Sequence, residues 1–193
     1  MAGLTGTIEA RQITYFDQVR TIHKTLMPLD FPADEIKTLD SMHNAWKSGH
    51  YICYGLFEKN LVVGYAFLAA HEAGYLLDYL AISSSVRNQH LGSDFLYWIA
   101  GQLREKCVLC EIEDPDFSET EEVRTLRERR KRFYLRNGYI DSSLRSSVFG
   151  VDFSIMYRSD RLYATEEIAA LYSELYQILQ RPYFIKPYPS IPE

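Results

Sequence analysis

Between Tyr75 and Gly92 an apolar run, YLLDYLAI, gives way to three serines and then to RNQHLG. The run reads as a strand apolar on both faces, which places it in the middle of a sheet. Past the serines, Leu91, Phe95, Leu96, Ile99 and Leu103 recur at helical spacing. A strand, a polar turn and a helix start aim unpaired N–H groups into the turn, which makes it a seat for a phosphate. One charge interrupts the strand: Asp78, on the same face as Leu80. A carboxylate there is costly unless it is hydrogen-bonded or put to use. Glu111 and Glu113 fall on one face of another apolar segment, opposite Ile112. Three such carboxylates can hold a cation and take up its proton through water, or they can be paired structurally.

Other candidate groups carry less. Cys107-x-x-Cys110 has the spacing of a redox or metal motif, but residues three apart in a strand face opposite sides, so the pair reads as buried thiols. His23, His43, His50, His71 and His90 show no metal-ligand spacing, and no metal is expected. Arg124, Arg127, Arg129, Arg130, Lys131, Arg132 and Arg136 follow Glu119, Glu121 and Glu122, the pattern of an ion-paired, solvated helix face rather than a nucleic-acid surface. The serine turn lacks the Gly-Lys-Ser/Thr of a nucleotide-binding P-loop.

Length and composition bound the possibilities. A chain of 193 residues, 47% hydrophobic and 24% charged, suffices for one ordinary domain with a full core. It has no apolar run approaching the ~18 residues of a membrane span, and its start lacks the pattern of a secretory signal. An odd count of three cysteines does not make a disulfide framework, so a reducing cytoplasm is expected. The net charge of −5 argues against nucleic acid and mildly favours a cationic partner.

The elements that position these groups follow from periodicity and breakers. Residues 6–14 read as a first strand. An amphipathic helix spans Phe16 to Leu26 and is stopped by Pro28, and a second begins at Pro32 and ends at Gly49. Tyr51 to Phe57 and Leu61 to Ala70 form a hairpin around Glu58-Lys59-Asn60. The strand from Tyr75 and its helix come next, then a strand Cys107 to Glu113, then a charged helix from about Glu121 to Arg136 closed by Asn137-Gly138. Tyr139 to Ser142 and Ser147 to Tyr157 read as two strands, with a turn at Phe149-Gly150. A helix from Thr165 to Leu179 carries the stripe Ile168, Leu171, Tyr172, Leu175 and Leu179, and a proline-rich tail follows. The expected class is α/β (α+β type): a mixed, mostly antiparallel central sheet with helices on both faces, plus a C-terminal helix.

With this order in hand, two segments resemble the GNAT superfamily of acyl-CoA N-acyltransferases, over about residues 8–158. Leu80-Ala81-Ile82 followed by Arg87-Asn88-Gln89-His90-Leu91-Gly92 is similar to the family's acyl-CoA loop, Arg/Gln-x-x-Gly-x-Gly/Ala, with His90 where glycine is usual. Phe133-Tyr134-Leu135-Arg136-Asn137-Gly138-Tyr139 is similar to its Phe-Tyr-x-x-x-Gly-Phe segment, and Arg127 stands where the family often has asparagine. The resemblance makes residues 1–160 a GNAT-like domain. Residues 161–193 are then a C-terminal helix and tail, packed on that domain or at a dimer interface, so monomer and homodimer both stay open.

The resemblance implies acetyl-CoA as co-substrate, with no metal. Loop amides from Asn88 to Ser93 would hold its pyrophosphate, and the backbone around Leu80 and Ile82 would pair with the pantetheine arm like an added strand. Tyr134 would protonate the departing thiolate, and Asp78, Glu111 or Glu113 would take the proton of a primary amine, small molecule or peptide. The implied activity is N-acetyl transfer by direct attack in a ternary complex. The alternative is an acyl-CoA-binding sensor or interaction module without turnover.

Overall fold

The computed structural model describes residues 8–86, 90–103, 106–148, 150–179 and 184–186. It divides into two compact units: residues 1–70 with 77–104, and residues 71–76 with 105–193.

In the first unit, β1 (Ile8–Gln12), β2 (Tyr51–Glu58), β3 (Leu61–His71) and β4 (Gly74–Ile82, present here from residue 77) lie side by side in that order. β1 and β2 pair antiparallel with Ile8 opposite Glu58, and β2 and β3 with Tyr51 opposite Ala69. The β2–β3 hairpin turns on Lys59 and Asn60, both at positive φ (47° and 71°), the pair of left-handed residues that a tight hairpin requires. Leu56, Ala66, Phe67 and Leu68 are fully buried between the strands and helices. Complete burial of a leucine or phenylalanine side chain stabilises by ~1.5–3 kcal/mol. Helix α4 (Leu91–Leu103) buries Leu91, Phe95, Leu96, Ile99 and Leu103, the five positions that its spacing predicts, and Trp98 meets the ring of Tyr54 edge-on at 5.3 Å.

The region between β1 and β2 departs from the sequence reading. Helix α1 (Phe16–Thr25) gives way to a four-residue helix α2 (Met27–Asp30) with Pro28 in its first turn, so the proline opens a helical turn rather than only closing one. No helix begins at Pro32. Helix α3 (Leu39–Lys47) starts after Thr38, whose hydroxyl accepts from Ser41 N–H at 3.3 Å. Residues 32–38 stay out of the helix because tertiary partners claim their polar groups: the Tyr79 hydroxyl donates to the Glu35 carbonyl (2.7 Å) and accepts from Lys37 N–H (2.9 Å).

In the second unit the strand order is β5-β7-β6-β8, with β5 (Cys107–Glu113), β6 (Ile140–Val148), β7 (Val151–Arg158) and β8 (Phe184–Lys186). Every pair among them is antiparallel. β6 and β7 are the two strands expected here, but β6 continues through residues 143–146, which the sequence reading left out of either strand. Its polar stretch is absorbed by an irregularity between Asp141 and Arg145, with Ser143 at φ 64°. The buried Ser142 hydroxyl donates to the Ile155 carbonyl at 2.6 Å, so the serine is satisfied inside the sheet. Helix α5 (Glu121–Arg136) begins at Thr120, which caps Val123 N–H, and ends at Asn137 with Gly138 at φ 81°. Helix α6 (Thr165–Leu179) buries Ile168, Leu171, Tyr172, Leu175, Tyr176 and Leu179. Leu171 packs where a Cβ on Gly74 would sit, 2.8 Å from its Cδ2. The class is mixed α/β, with mostly antiparallel strand pairing.

Candidate active site

In the first unit the anion seat and the strand before it are built from β3, β4 and α4. Gly64 of β3 brings β4 close: a Cβ there would stand 2.8 Å from Ile82 Cδ1 and 3.1 Å from the Ala81 carbonyl oxygen. Ser83 N–H then donates to the Val63 carbonyl at 2.8 Å, which fixes where β4 ends and the turn begins. Along β4, Leu80 and Ile82 are partly exposed while Ala81 is buried. At Asp78 the side chain is only 2% exposed although the residue as a whole is partly exposed, so what solvent reaches there is main chain.

Arg87, Asn88 and Gln89 of the expected loop lie outside the described residues. His90 lies within them, at φ 58°. That left-handed conformation explains the usual glycine at this position, since only glycine adopts it without steric cost. The His90 carbonyl accepts from Ser93 N–H (2.9 Å) and Asp94 N–H (3.1 Å), so α4 starts on it, with Leu91, Gly92 and Ser93 as the first turn. The N–H groups of a first turn lack helical acceptors and face the preceding loop, which suits the segment to a phosphate. Asp94 adds one negative charge to that turn.

Asp78 is enclosed. Lys37 Nζ and the Tyr51 hydroxyl both donate to its Oδ2. Lys37 and Asp78 side chains are 5% and 2% exposed, so this is a buried ion pair. The ammonium also lies 5.7 Å from the centroid of the Tyr51 ring and 5.5 Å from that of Tyr79. Burial first, and then the Asp78 charge, holds the Tyr51 phenol well above its ordinary pKa, so it stays a donor.

The second unit contains the remaining candidates, and different helices engage the two glutamates. Tyr172 of α6 donates to Glu111 Oε1 at 2.6 Å, Tyr176 donates to the same oxygen, and Ser146 meets the Tyr172 hydroxyl at 2.8 Å. Burial and the Glu111 charge push both phenols upward. Glu113 instead takes Arg127 Nη2 (3.1 Å) and Arg130 Nη1 (2.8 Å) of α5. Arg127 Nη1 also caps the carbonyls of Asp114 and Phe117 at 3.2 and 3.1 Å. In the position of the family's frequent asparagine there is thus a guanidinium holding together the β5–α5 connection.

Tyr134 lies near the end of α5, buried at 9% exposure, its ring edge-to-face with Phe133 and Tyr139, each at 5.2 Å. Among the described residues nothing hydrogen-bonds to its hydroxyl, whereas Tyr51, Tyr65, Tyr79, Tyr172 and Tyr176 all use theirs. Burial pushes the phenol up, with Arg130 pulling weakly the other way, so it remains protonated at neutral pH.

Sequence reasoning missed Lys37, Tyr51, Tyr172 and Tyr176. Lys37 lies 41 residues from Asp78 and Tyr176 lies 65 from Glu111, and no local pattern marks such partners. The other motifs take structural places. Cys53, Cys107 and Cys110 are free and buried. Among the described residues no group of three or more His, Cys, Asp or Glu could hold a metal ion. Five of the seven basic residues of α5 pair within the protein: Arg124 and Arg132 with Glu128, Arg127 and Arg130 with Glu113, Lys131 with Asp141. Among the described residues no helix is long and apolar enough to cross a membrane.

No family model matches this chain, and no curated protein matches it. Solved structures do. A GNAT-family protein from Bacteroides thetaiotaomicron superposes with a TM-score of 0.70 at 21% identity, over 89% of this chain and 97% of that one. The aminoglycoside 6′-N-acetyltransferase from Enterococcus faecium gives 0.61 at 17% identity, over 80% of this chain and 98% of its own. A GNAT-family acetyltransferase from Elizabethkingia anophelis with acetyl-CoA bound gives 0.54 at 12% identity, over 80% and 99%. Likeness at such identities is one of backbone arrangement, and activity has to be argued from the site. On that arrangement, this chain has the fold of the GNAT acyltransferases.

Proposed function

We propose that this protein is an acetyl-CoA-dependent N-acetyltransferase acting on a primary amine, of a small molecule or a peptide, by direct attack in a ternary complex. The observation that carries the reading is the β4–turn–α4 unit in a GNAT fold, together with solved structures of that fold that hold coenzyme A or acetyl-CoA. The first turn of α4 from Leu91 to Ser93, continuing the loop Arg87-Asn88-Gln89-His90, would receive the pyrophosphate. The main chain of Leu80, Ala81 and Ile82 would pair with the pantetheine arm and steady the oxyanion that develops on the thioester carbonyl.

In this reading the amine nitrogen bonds to the acetyl carbonyl carbon and the C–S bond breaks. The proton of the attacking nitrogen passes through water to one of Asp78, Glu111 or Glu113, and Tyr134 gives its proton to the thiolate. The protonated phenol of Tyr134, which has no hydrogen-bond partner among the described residues, supports that last role. Residues 1–160 make up the transferase domain in this reading. Residues 161–193 add a helix whose apolar stripe is already buried and which therefore needs no second copy to cover it. Three free, buried thiols support a reducing cytoplasm.

Purified protein with acetyl-CoA and a panel of polyamines, aminoglycosides, amino acids and peptides is the test. Amine-dependent release of free thiol is expected with at least one class. Calorimetric binding of acetyl-CoA without thiol release on any of them would overturn the enzyme reading in favour of a sensor module.

A further inference from the structure

We infer that Lys37 and Asp78 form a positioning pair: together they clamp the segment 31–38 onto β4, and the pairing takes Asp78 out of the set of possible proton acceptors. The inference rests on the transferase reading for the word acceptor, but the clamp itself is geometric. A proton acceptor for a substrate ammonium has to be reached by that ammonium or by water in contact with it. The Asp78 side chain is 2% exposed, and its Oδ2 already takes an ammonium and a phenol. The chain's own Lys37 therefore occupies the place that a substrate amine would need.

The pair does not act alone on the segment. Four further contacts converge on it from separate elements. Lys37 N–H donates to the Tyr79 hydroxyl, and that hydroxyl donates to the Glu35 carbonyl. His23 Nε2 of α1 meets the Lys37 carbonyl at 2.8 Å. Phe31 stands edge-on to the Tyr79 ring at 5.0 Å. Three of them bind the α2–α3 connection to the stretch of β4 that leads into Leu80, and the His23 contact ties it to α1. Ionisable groups facing Asp78 are Lys37 from the connection and Tyr51 and Cys53 from β2.

Two kinds of variant separate a clamp from a base. In Lys37→Met the carboxylate loses its cation, and in Tyr51→Phe it loses only a phenol donor, so the second variant keeps the fold even if the first does not. The expected results are hydrogen exchange of residues 31–38 at least tenfold faster in Lys37→Met, with residues 91–103 unchanged. Kanamycin and spermidine serve as the acceptor probes for the kcat/KM profile. In Tyr51→Phe the acid limb of the kcat/KM profile stays where it is. Were Asp78 the proton acceptor, removing a hydrogen bond donated to its carboxylate would move that limb. Such a movement, or unchanged exchange over 31–38 in Lys37→Met, overturns the proposal. If neither probe is acetylated by the wild type, the transferase reading is what fails for those amines, and the exchange measurement still decides the clamp.

Discussion

Replacing Tyr134 by phenylalanine separates its chemistry from its packing. The ring is retained, and with it the edge-to-face contacts at 5.2 Å to Phe133 and Tyr139. The hydroxyl has no hydrogen-bond partner among the described residues, so its removal breaks no hydrogen bond and should leave Tm nearly unchanged. A positioned general acid contributes ~10²–10⁴-fold, and each factor of ten corresponds to about 1.4 kcal/mol of barrier. Tyr134→Phe should therefore raise the barrier by about 3–5 kcal/mol at nearly constant Tm. Because burial keeps the phenol protonated through the neutral range, the pH profile should fall as a whole without changing shape. Tyr139→Phe is the control, since that buried ring likewise has no hydroxyl partner among the described residues; it should leave turnover within threefold. The assay is steady-state thiol release alongside thermal melting. Turnover within threefold of wild type in Tyr134→Phe would refute the assignment. A loss of turnover that tracked a fall in Tm of several degrees would refute it as well.

Three further expectations follow from separate parts of the structure. Gly64→Ala puts a methyl 2.8 Å from Ile82 Cδ1 and 3.1 Å from the Ala81 carbonyl, so it should cost about 1–3 kcal/mol and weaken acetyl-CoA binding in calorimetry. All three thiols are buried, with that of Cys107 pushed up to about 12, so the native protein should not react with a disulfide reagent until it unfolds. At Asp141 burial alone would raise the pKa, but hydrogen bonds from Lys131 and Arg145 outweigh it and hold the carboxyl below its usual range. Its contribution is then present above the unfolded value of about 3.9 and lost as pH falls through the folded value. Melting curves of wild type and Asp141→Asn should start to approach one another as pH falls below about 4 and coincide only below the folded value.

What the sequence revealed and what it hid divide along a physical line. Helices α4, α5 and α6 and strand β5 were legible because apolar period, capping residues and glycine stops are local signals, and α6 begins and ends at the residues its stripe predicts. The segment after Pro32 was misread because its fate rests on Tyr79 and Asp78, more than forty residues away. The first strand of the β6–β7 pair was ended too early, at Ser142, because Ser142, Ser143 and Ser146 look like a loop until Ile155 and Tyr172 satisfy the two buried hydroxyls. At the site, the odd charge in β4 marked Asp78 correctly as a residue whose burial needed a reason. The partner that supplies one, Lys37, sits in a segment without any motif. His90 was visible as a departure from glycine, but only φ 58° shows that the backbone there keeps the glycine-like conformation.

The central claim is acetyl transfer from acetyl-CoA to an amine, and isotope transfer tests it most directly. Protein incubated with acetyl-labelled acetyl-CoA and the amine panel should move label into one amine class, in one-to-one proportion with free coenzyme A released. Label that stays on acetyl-CoA bound to the protein, or that leaves as acetate at the same rate with and without amine, would contradict the account.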